Sequence, residues 1–253
     1  MVTRVRIWSM VLSLLLLAGL GSPARAAEFN PTQREEMESL IKDYLLSHPE
    51  LLSEMGKLLE EKQKLAEDEQ RKGTLTSSAD QIFRDKADFV AGNTKGDVTM
   101  VEFFDYNCAW CKKGFPEVIA LLESDKNLRF VLKEFPIFGE DSEYAAKAAL
   151  ASGRQGKYWE LHIAMLTNEG KITKASVDEI AAAQGLDLAK LKKDMADPAI
   201  EETILRNRAL AQSLAINGTP AFIIDDKVVP GYLPQADLAA AIDEVRLKGC
   251  SLC

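Results

Sequence analysis

The sequence predicts an α/β fold in which helices pack over a small sheet and a helical arm stands in front of it. Apolar runs at 98–105 and 129–135 flank one helical segment, giving the order β-α-β. A wholly helical block follows. Two short runs, 221–224 and 227–229, then sit on either side of Asp225-Asp226 as a hairpin before a final helix.

The elements follow in order along the 253-residue chain. Arg4 and Arg6 precede an apolar stretch from Ile7 to Leu20, too short to span a bilayer comfortably at roughly 20 residues per crossing. Ala24-Arg25-Ala26 supplies the small-residue exit of a signal peptide, so cleavage is expected before Ala27 and residues 1–26 are excluded from the fold. Removal of Arg4, Arg6 and Arg25 takes the formal charge from −8 to −11. So acidic a protein argues against nucleic acid or an anionic membrane as a main partner.

Met37, Leu40, Ile41, Tyr44 and Leu45 recur at helical spacing, as do Leu51, Leu52, Met55, Leu58 and Leu59. Two helices are predicted, at 31–46 and 48–71, with Ser47 and Glu50 as a capping box between them. A polar break at 72–78, a short helix at 79–91 and a loop at 92–96 complete the approach to the first strand. The stripe either folds back on its own domain or pairs with copies of itself; a two-helix arm cannot bury it within itself, so residues 27–90 are read as an oligomerisation region. Beyond the strand at 98–105, helices are predicted at 109–123, with Pro116 inside, then at 142–152, 158–166, 176–183, 189–195, 199–214 and 238–246. Ser176 and Glu179 make a second capping box, and Gly249 ends the last helix.

The chemistry-bearing motif is Cys108-Ala109-Trp110-Cys111, at a strand-to-helix junction. The sulfurs lie one turn apart, within reach of a disulfide. The first thiol stands where unpaired N–H groups and the helix dipole favour a thiolate, the nucleophile of disulfide exchange. A bridge closing so small a loop staples little, which favours redox chemistry over structure. Cys250 and Cys253 repeat the spacing at the tail, and three pairings of the four cysteines are possible. The tail is open to three readings: a second exposed dithiol, a soft-metal clamp, or an incidental disulfide at a frayed end. A zinc site is disfavoured, because the two Cys-x-x-Cys pairs are far apart and His48 and His162 lack ligand spacing.

These residues resemble the DsbA-like branch of the thioredoxin superfamily. The likeness rests on Phe103-Phe104-Asp105-Tyr106-Asn107-Cys108-Ala109-Trp110-Cys111, Lys133-Glu134-Phe135-Pro136, Gly218-Thr219-Pro220-Ala221-Phe222 and the helical insertion, and covers about 97–247. The arm is similar to that of exported oligomeric members, the suppressor-of-copper-sensitivity C-type and Com1-like proteins. The resemblance implies a thioredoxin fold over 91–249 with an inserted helical lobe at about 140–200; it does not cover the tail at 250–253. It implies a periplasmic thiol-disulfide oxidoreductase acting on protein thiols and disulfides and reset by a membrane redox partner, with no cofactor and no metal. Carried over by position, Cys108 attacks, Cys111 is the buried resolving thiol of a Cys108/Cys111 redox disulfide, and Pro220 is the cis-proline beside them. Thr219 would present its backbone to an extended substrate.

Two departures set the expected direction. Ala-Trp replaces the Pro-His of strongly oxidising members, so no histidine stabilises the thiolate from that position and a less oxidising couple is expected. Thr before the proline is similar to isomerases and reductases of the superfamily. The reading therefore leans to isomerase or reductase. Its rivals are a dedicated oxidase, a copper-binding or metal-tolerance protein using its dithiols, and an interaction protein that keeps the fold as scaffold. Trp110 is expected to contact substrate. Glu102 and Lys133 lie on neighbouring strands, where a buried acid paired with a lysine could relay protons to Cys111; the alternative is a surface pair at the sheet edge. His162 is expected to be a packed or surface helix residue, and Asp105 and Asn107 to shape the turn.

Overall fold

The computed structural model describes residues 29–252. The expected signal segment, its cleavage point and Cys253 lie outside the described residues. The chain divides into two compact units, one ending at Gln63 and the other beginning at Lys64.

In the first unit, α1 (Pro31–Ser47) starts from a reciprocal cap, with Asn30 Oδ1 accepting from Gln33 N at 2.9 Å and Gln33 Oε1 from Asn30 N at 3.1 Å. No residue of α1 is buried. Leu40, Ile41, Tyr44 and Leu45 are exposed, as are Leu52, Met55, Leu58 and Leu59 of α2 (Glu50–Ser77). The expected Ser47–Glu50 box does not form. Ser47 ends α1, and its hydroxyl donates to the Asp43 carbonyl at 2.7 Å.

In the second unit, α2 runs on to Ser77 through the segment read as a polar break. Its threonines remain helical by bonding back to the carbonyl four residues earlier, Thr74 to Gln70 and Thr76 to Lys72, each at 3.0 Å. Leu75 between them is fully buried. The helix expected over 79–91 is shorter, α3 (Ala79–Phe83), and its second half is a strand, β1 (Phe89–Gly92). Thereafter come β2 (Val98–Phe104), α4 (Ala109–Ser124), β3 (Leu128–Glu134), α5 (Glu140–Ser152), α6 (Tyr158–Thr167), α7 (Lys174–Ala183), α8 (Leu188–Met195), α9 (Pro198–Ser213), β4 (Ala221–Ile224), β5 (Lys227–Pro230) and α10 (Gln235–Lys248). The cap of α7 is Thr173 with Ser176, not Ser176 with Glu179.

The sheet order is β1-β3-β2-β4-β5, with β2 and β3 parallel and the other pairs antiparallel. This is the expected thioredoxin-type α/β fold, with helices inserted between β3 and β4. Side chains alternate across a strand, so register decides who meets whom. Met100, Phe104, Phe130, Leu132, Phe222 and Ile224 share one face with Phe115 and Leu121 of α4, Leu161 of α6 and Ile242 of α10. Val101, Phe103, Val131 and Ile223 share the other with Leu75, Ile82 and Phe83 and with Leu210 of α9. Full burial of each such Leu, Ile or Phe stabilises by about 1.5–3 kcal/mol, which fastens the end of α2 and α3 to the sheet.

The expected Glu102–Lys133 pair is absent. Glu102 stands opposite Leu132 and Lys133 opposite Phe103, so the two side chains leave the sheet on opposite faces. Lys133, 1 % exposed, instead binds the Asp88 carboxylate and the Gln81 carbonyl. It is neither a surface pair nor a neighbour of the Cys108 face. Burial pushes the Asp88 carboxyl up to about 6 even against the lysine.

At the far end of β4, Asp225 Oδ1 accepts from Ser251 N, Ser251 Oγ and Leu252 N, each at 2.8 Å. Arg84 donates to the Leu252 carbonyl at 3.0 Å, and Cys250 is disulfide-bonded. Residues 250–252 are therefore held on the body of this unit, which does not suit the frayed-end reading of the tail.

Candidate active site around Cys108

The apolar strand β2 ends at Phe104, and the turn that follows is built by two polar side chains. Asp105, 1 % exposed, accepts from Asn107 N at 2.7 Å, Ser142 Oγ at 2.7 Å, Ile137 N at 2.7 Å and Phe138 N at 3.1 Å. Asn107 accepts from Ile172 N at 2.8 Å and donates to the Ile172 carbonyl at 3.0 Å. Lys112 reaches the carbonyls of Asn168 at 3.0 Å and Gly170 at 2.6 Å. The turn and the first turn of α4 are thereby fixed to the loops of the helical insertion, well beyond the turn-shaping role read from sequence.

Cys108 is the N-cap of α4. Its sulfur accepts from Cys111 N at 3.3 Å, and the thiol donates to the Thr219 carbonyl at 3.1 Å. Both Cys108 and Cys111 are free and buried. The hydrogen bond from the Cys111 thiol lowers Cys108 most, burial opposes it, and Thr219 and the backbone N–H groups of α4 add to the lowering. The net position is about 6, against an ordinary 9.0. The Thr219 hydroxyl is buried and has no partner among the described residues while the thiol is protonated; the ionised sulfur gives it an acceptor. Thr219-Pro220 is cis, and Pro220 O accepts from Gly231 N at 2.8 Å.

Cys111 is driven well above the usual thiol range, first by burial, then by its bond to Cys108 and the nearby Glu102. Glu102, 6 % exposed, lies on the same sheet face as both sulfurs. Among the described residues nothing hydrogen-bonds or ion-pairs with it, and burial followed by Cys108 raises it to about 8. The arrangement pairs one ionised, nucleophilic thiol with one protonated thiol, and places next to them a carboxyl able to exchange a proton near neutral pH.

Trp110 is 54 % exposed, next to Cys108, and tilts towards Tyr232 at 5.9 Å between ring centroids. Lys113 Nζ lies over both rings, 4.6 Å and 5.1 Å from their centres. Tyr232 lies close along α4 because Gly114 leaves room: a Cβ there would stand 3.2 Å from its ring. Neither Tyr232 nor Lys113 was legible as a site residue, since no local spacing ties residue 232 to 110.

Behind the turn sits a buried polar cluster that sequence reasoning also missed. Glu134 Oε1 accepts from Tyr106 at 2.9 Å and Tyr158 at 2.7 Å, and the Tyr106 hydroxyl is 3.0 Å from His162 Nδ1. Burial raises the Glu134 carboxyl well above its ordinary range and lowers His162 to about 3. His162 is thus a packed, neutral residue. Among the described residues there is no group of three or more His, Cys, Asp or Glu side chains that could hold a metal ion.

With this geometry in view, comparison with known proteins is informative. Residues 99–243 match the family described as DSBA-like thioredoxin domain, and residues 33–66 match the copper resistance protein ScsC N-terminal domain. A thioredoxin-like oxidoreductase from Silicibacter pomeroyi is 45% identical with a TM-score of 0.66, covering 66% of this chain and 97% of that one. A linker-deletion variant of Proteus mirabilis ScsC is 26% identical with a TM-score of 0.67, covering 88% of this chain and 100% of that one. The thiol-disulfide exchange protein α-DsbA2 from Wolbachia pipientis is 30% identical with a TM-score of 0.66, covering 71% and 98%. A curated relative, the Na(+)/H(+) antiporter NhaA 1 of Salinispora arenicola, is 31% identical over 157 residues, 61% of this chain. The chain spans only 24% of that protein's length, and among the described residues no helix is long and apolar enough to cross a membrane. With a family match running from β2 into α10, over the Cys108 turn and the Thr219-Pro220 loop alike, this chain belongs to the DsbA-like thioredoxin domain family.

Proposed function

We propose that the protein is an exported thiol-disulfide oxidoreductase that exchanges disulfides of protein substrates through Cys108 and Cys111. The observation that carries this reading is Cys108 itself: a capping thiol at the mouth of α4, lowered to about 6 and set against Thr219-Pro220. At neutral pH it is mostly thiolate. It attacks one sulfur of a substrate disulfide, and the other substrate sulfur leaves as a thiolate. Cys111 then resolves the mixed disulfide, giving net reduction, or a substrate thiol does so, giving isomerisation. Cys111 must lose its proton to attack, and Glu102 accepts it after giving its own proton to solvent, an ionisation that costs least once the Cys108 thiolate has been consumed in the mixed disulfide. Trp110 offers an apolar contact to the substrate, and Thr219 offers its backbone.

The isomerase or reductase direction rests on the absence of a histidine between the cysteines and on the threonine before Pro220. Export to the periplasm rests on the segment at 1–26, and a membrane redox partner on the family. The exposed stripe of α1 and early α2 supports self-association through the first part of the 27–90 arm, up to about Leu65, since Leu75, Ile82 and Phe83 pack onto their own sheet. A copper-tolerance role is the second reading, favoured by the ScsC match over 33–66 and by the softness of a Cys108/Cys111 dithiol towards Cu(I). One experiment separates them: insulin reduction and refolding of scrambled ribonuclease by wild type and Cys108→Ala. Loss of both activities in the variant supports exchange; equal activity in the two proteins ends that reading.

A further inference from the structure

Beside the Thr219-Pro220 loop lies a groove of about 220 Å³. Its walls are the α9–β4 connection, from Leu214 to Pro220, and the β5 end, with Val228, Pro230 and Gly231. They are apolar or neutral throughout, with one exception: Arg71, from the helix that precedes the sheet. Thr219 belongs both to the groove and to the Cys108 site, where its carbonyl is 3.1 Å from the sulfur. The groove therefore adjoins the loop that faces the reacting sulfur. Among the described residues Arg71 pairs only with Asp68, three residues back on the same helix, at 3.1 Å and in a half-exposed setting. Such a pair is worth about 0–1 kcal/mol and is readily exchanged for another carboxylate.

We propose that Arg71 is a specificity residue: it selects substrate polypeptides that carry an Asp or Glu close in sequence to the reacting cysteine, with small or apolar residues between. The inference rests on the thiol-exchange reading and adds a substrate class to it. A segment lying along the Thr219-Pro220 loop with its sulfur at Cys108 runs into the groove. A carboxylate on that segment replaces Asp68 on the guanidinium, whereas a lysine there meets like charge. Arg71 touches no reacting atom, so its effect falls on capture of the substrate.

The test uses the full chain and synthetic peptides with a single cysteine held as a mixed disulfide with thionitrobenzoate. Cys108 thiolate attacks the peptide sulfur, the bond between the sulfurs breaks, and the coloured thionitrobenzoate anion leaves. Glu, Gln or Lys is placed in turn at each position flanking the cysteine, and the rate ratio of Glu to Gln peptides is measured within each variant. Wild type should show, at one or two positions, a Glu preference of about threefold to fivefold that fades with salt. Arg71→Gln should bring that ratio to one, Arg71→Glu should transfer the preference to the Lys peptide, and Arg71→Lys should retain part of it. The same positional profile in wild type and Arg71→Glu, or no Glu preference at any position, overturns the proposal. Failure of the exchange reading shows separately, as equal thionitrobenzoate release by Cys108→Ala and wild type on every peptide.

Discussion

Replacing the buried carboxyl of Glu102 with an amide should make the reduced protein more stable in a pH-dependent way. The carboxyl titrates at about 8 in the fold against 4.5 in the open chain, because burial without a partner disfavours its ionised form. The folded state therefore holds this proton more tightly than the unfolded state. The benefit is complete below pH 4.5 and is lost as pH rises through 8, so wild-type stability falls across that window. The limiting slope is about 1.4 kcal/mol per pH unit, and the deficit at pH 7 is about 3 kcal/mol. Glu102→Gln has the same shape and no proton to lose. Urea denaturation of reduced wild type and variant, followed by circular dichroism from pH 5 to pH 8, should show two curves that converge at low pH and separate by about 3 kcal/mol at pH 7. A constant gap across the range would refute the reasoning, since a packing difference does not depend on pH. In single-turnover exchange the variant should still form the mixed disulfide but resolve it more slowly.

Alkylation of Cys108 with iodoacetamide should rise with pH about a midpoint near 6, and a midpoint near 9.0 would remove the thiolate from the mechanism. Asp105→Ala leaves the donors of Asn107, Ser142, Ile137 and Phe138 without their carboxylate and should cost about 2–4 kcal/mol in urea denaturation; a loss under 1 kcal/mol would show that the turn holds without it. Ala215 follows α9 with φ 56, a left-handed position usually occupied by glycine, so Ala215→Gly should raise stability by about 0.5–1 kcal/mol, read as a higher denaturation midpoint, and a fall would contradict the strain. Deletion of residues 28–63 should reduce the sedimenting mass to that of one chain if the exposed stripe is the assembly surface; an unchanged oligomer would place that surface elsewhere.

The parts of the fold legible in the sequence are those with local signatures. The Cys-x-x-Cys motif, the apolar strand before it and the Gly218-Thr219-Pro220 loop all carry their spacing in a few residues, and the structure brings Cys108, Cys111 and Thr219 together. The β1 strand was hidden because four residues, Phe89-Val90-Ala91-Gly92, show too little alternation to be told from a helix end. The continuation of α2 was hidden because its threonines and Lys72 read as a break, while the burial of Leu75 that secures it comes from distant residues. The opposed directions of Glu102 and Lys133 follow from strand register, which no local pattern prints. Tyr232 against Gly114, Asp105 on Ile137, and Arg71 beside the Thr219 loop are all meetings across long stretches of chain.

The parity of residues 102 and 133 makes the central sheet a partition. Acid and sulfurs answer to one side of it, while Lys133, Asp88 and the root of the leading helix answer to the other. Changes in how that helix is rooted can therefore accumulate without retuning the thiols, and substitutions around the thiols need not loosen the root. Two properties that evolution would otherwise have to adjust together, reactivity and anchorage, are left free to vary on their own.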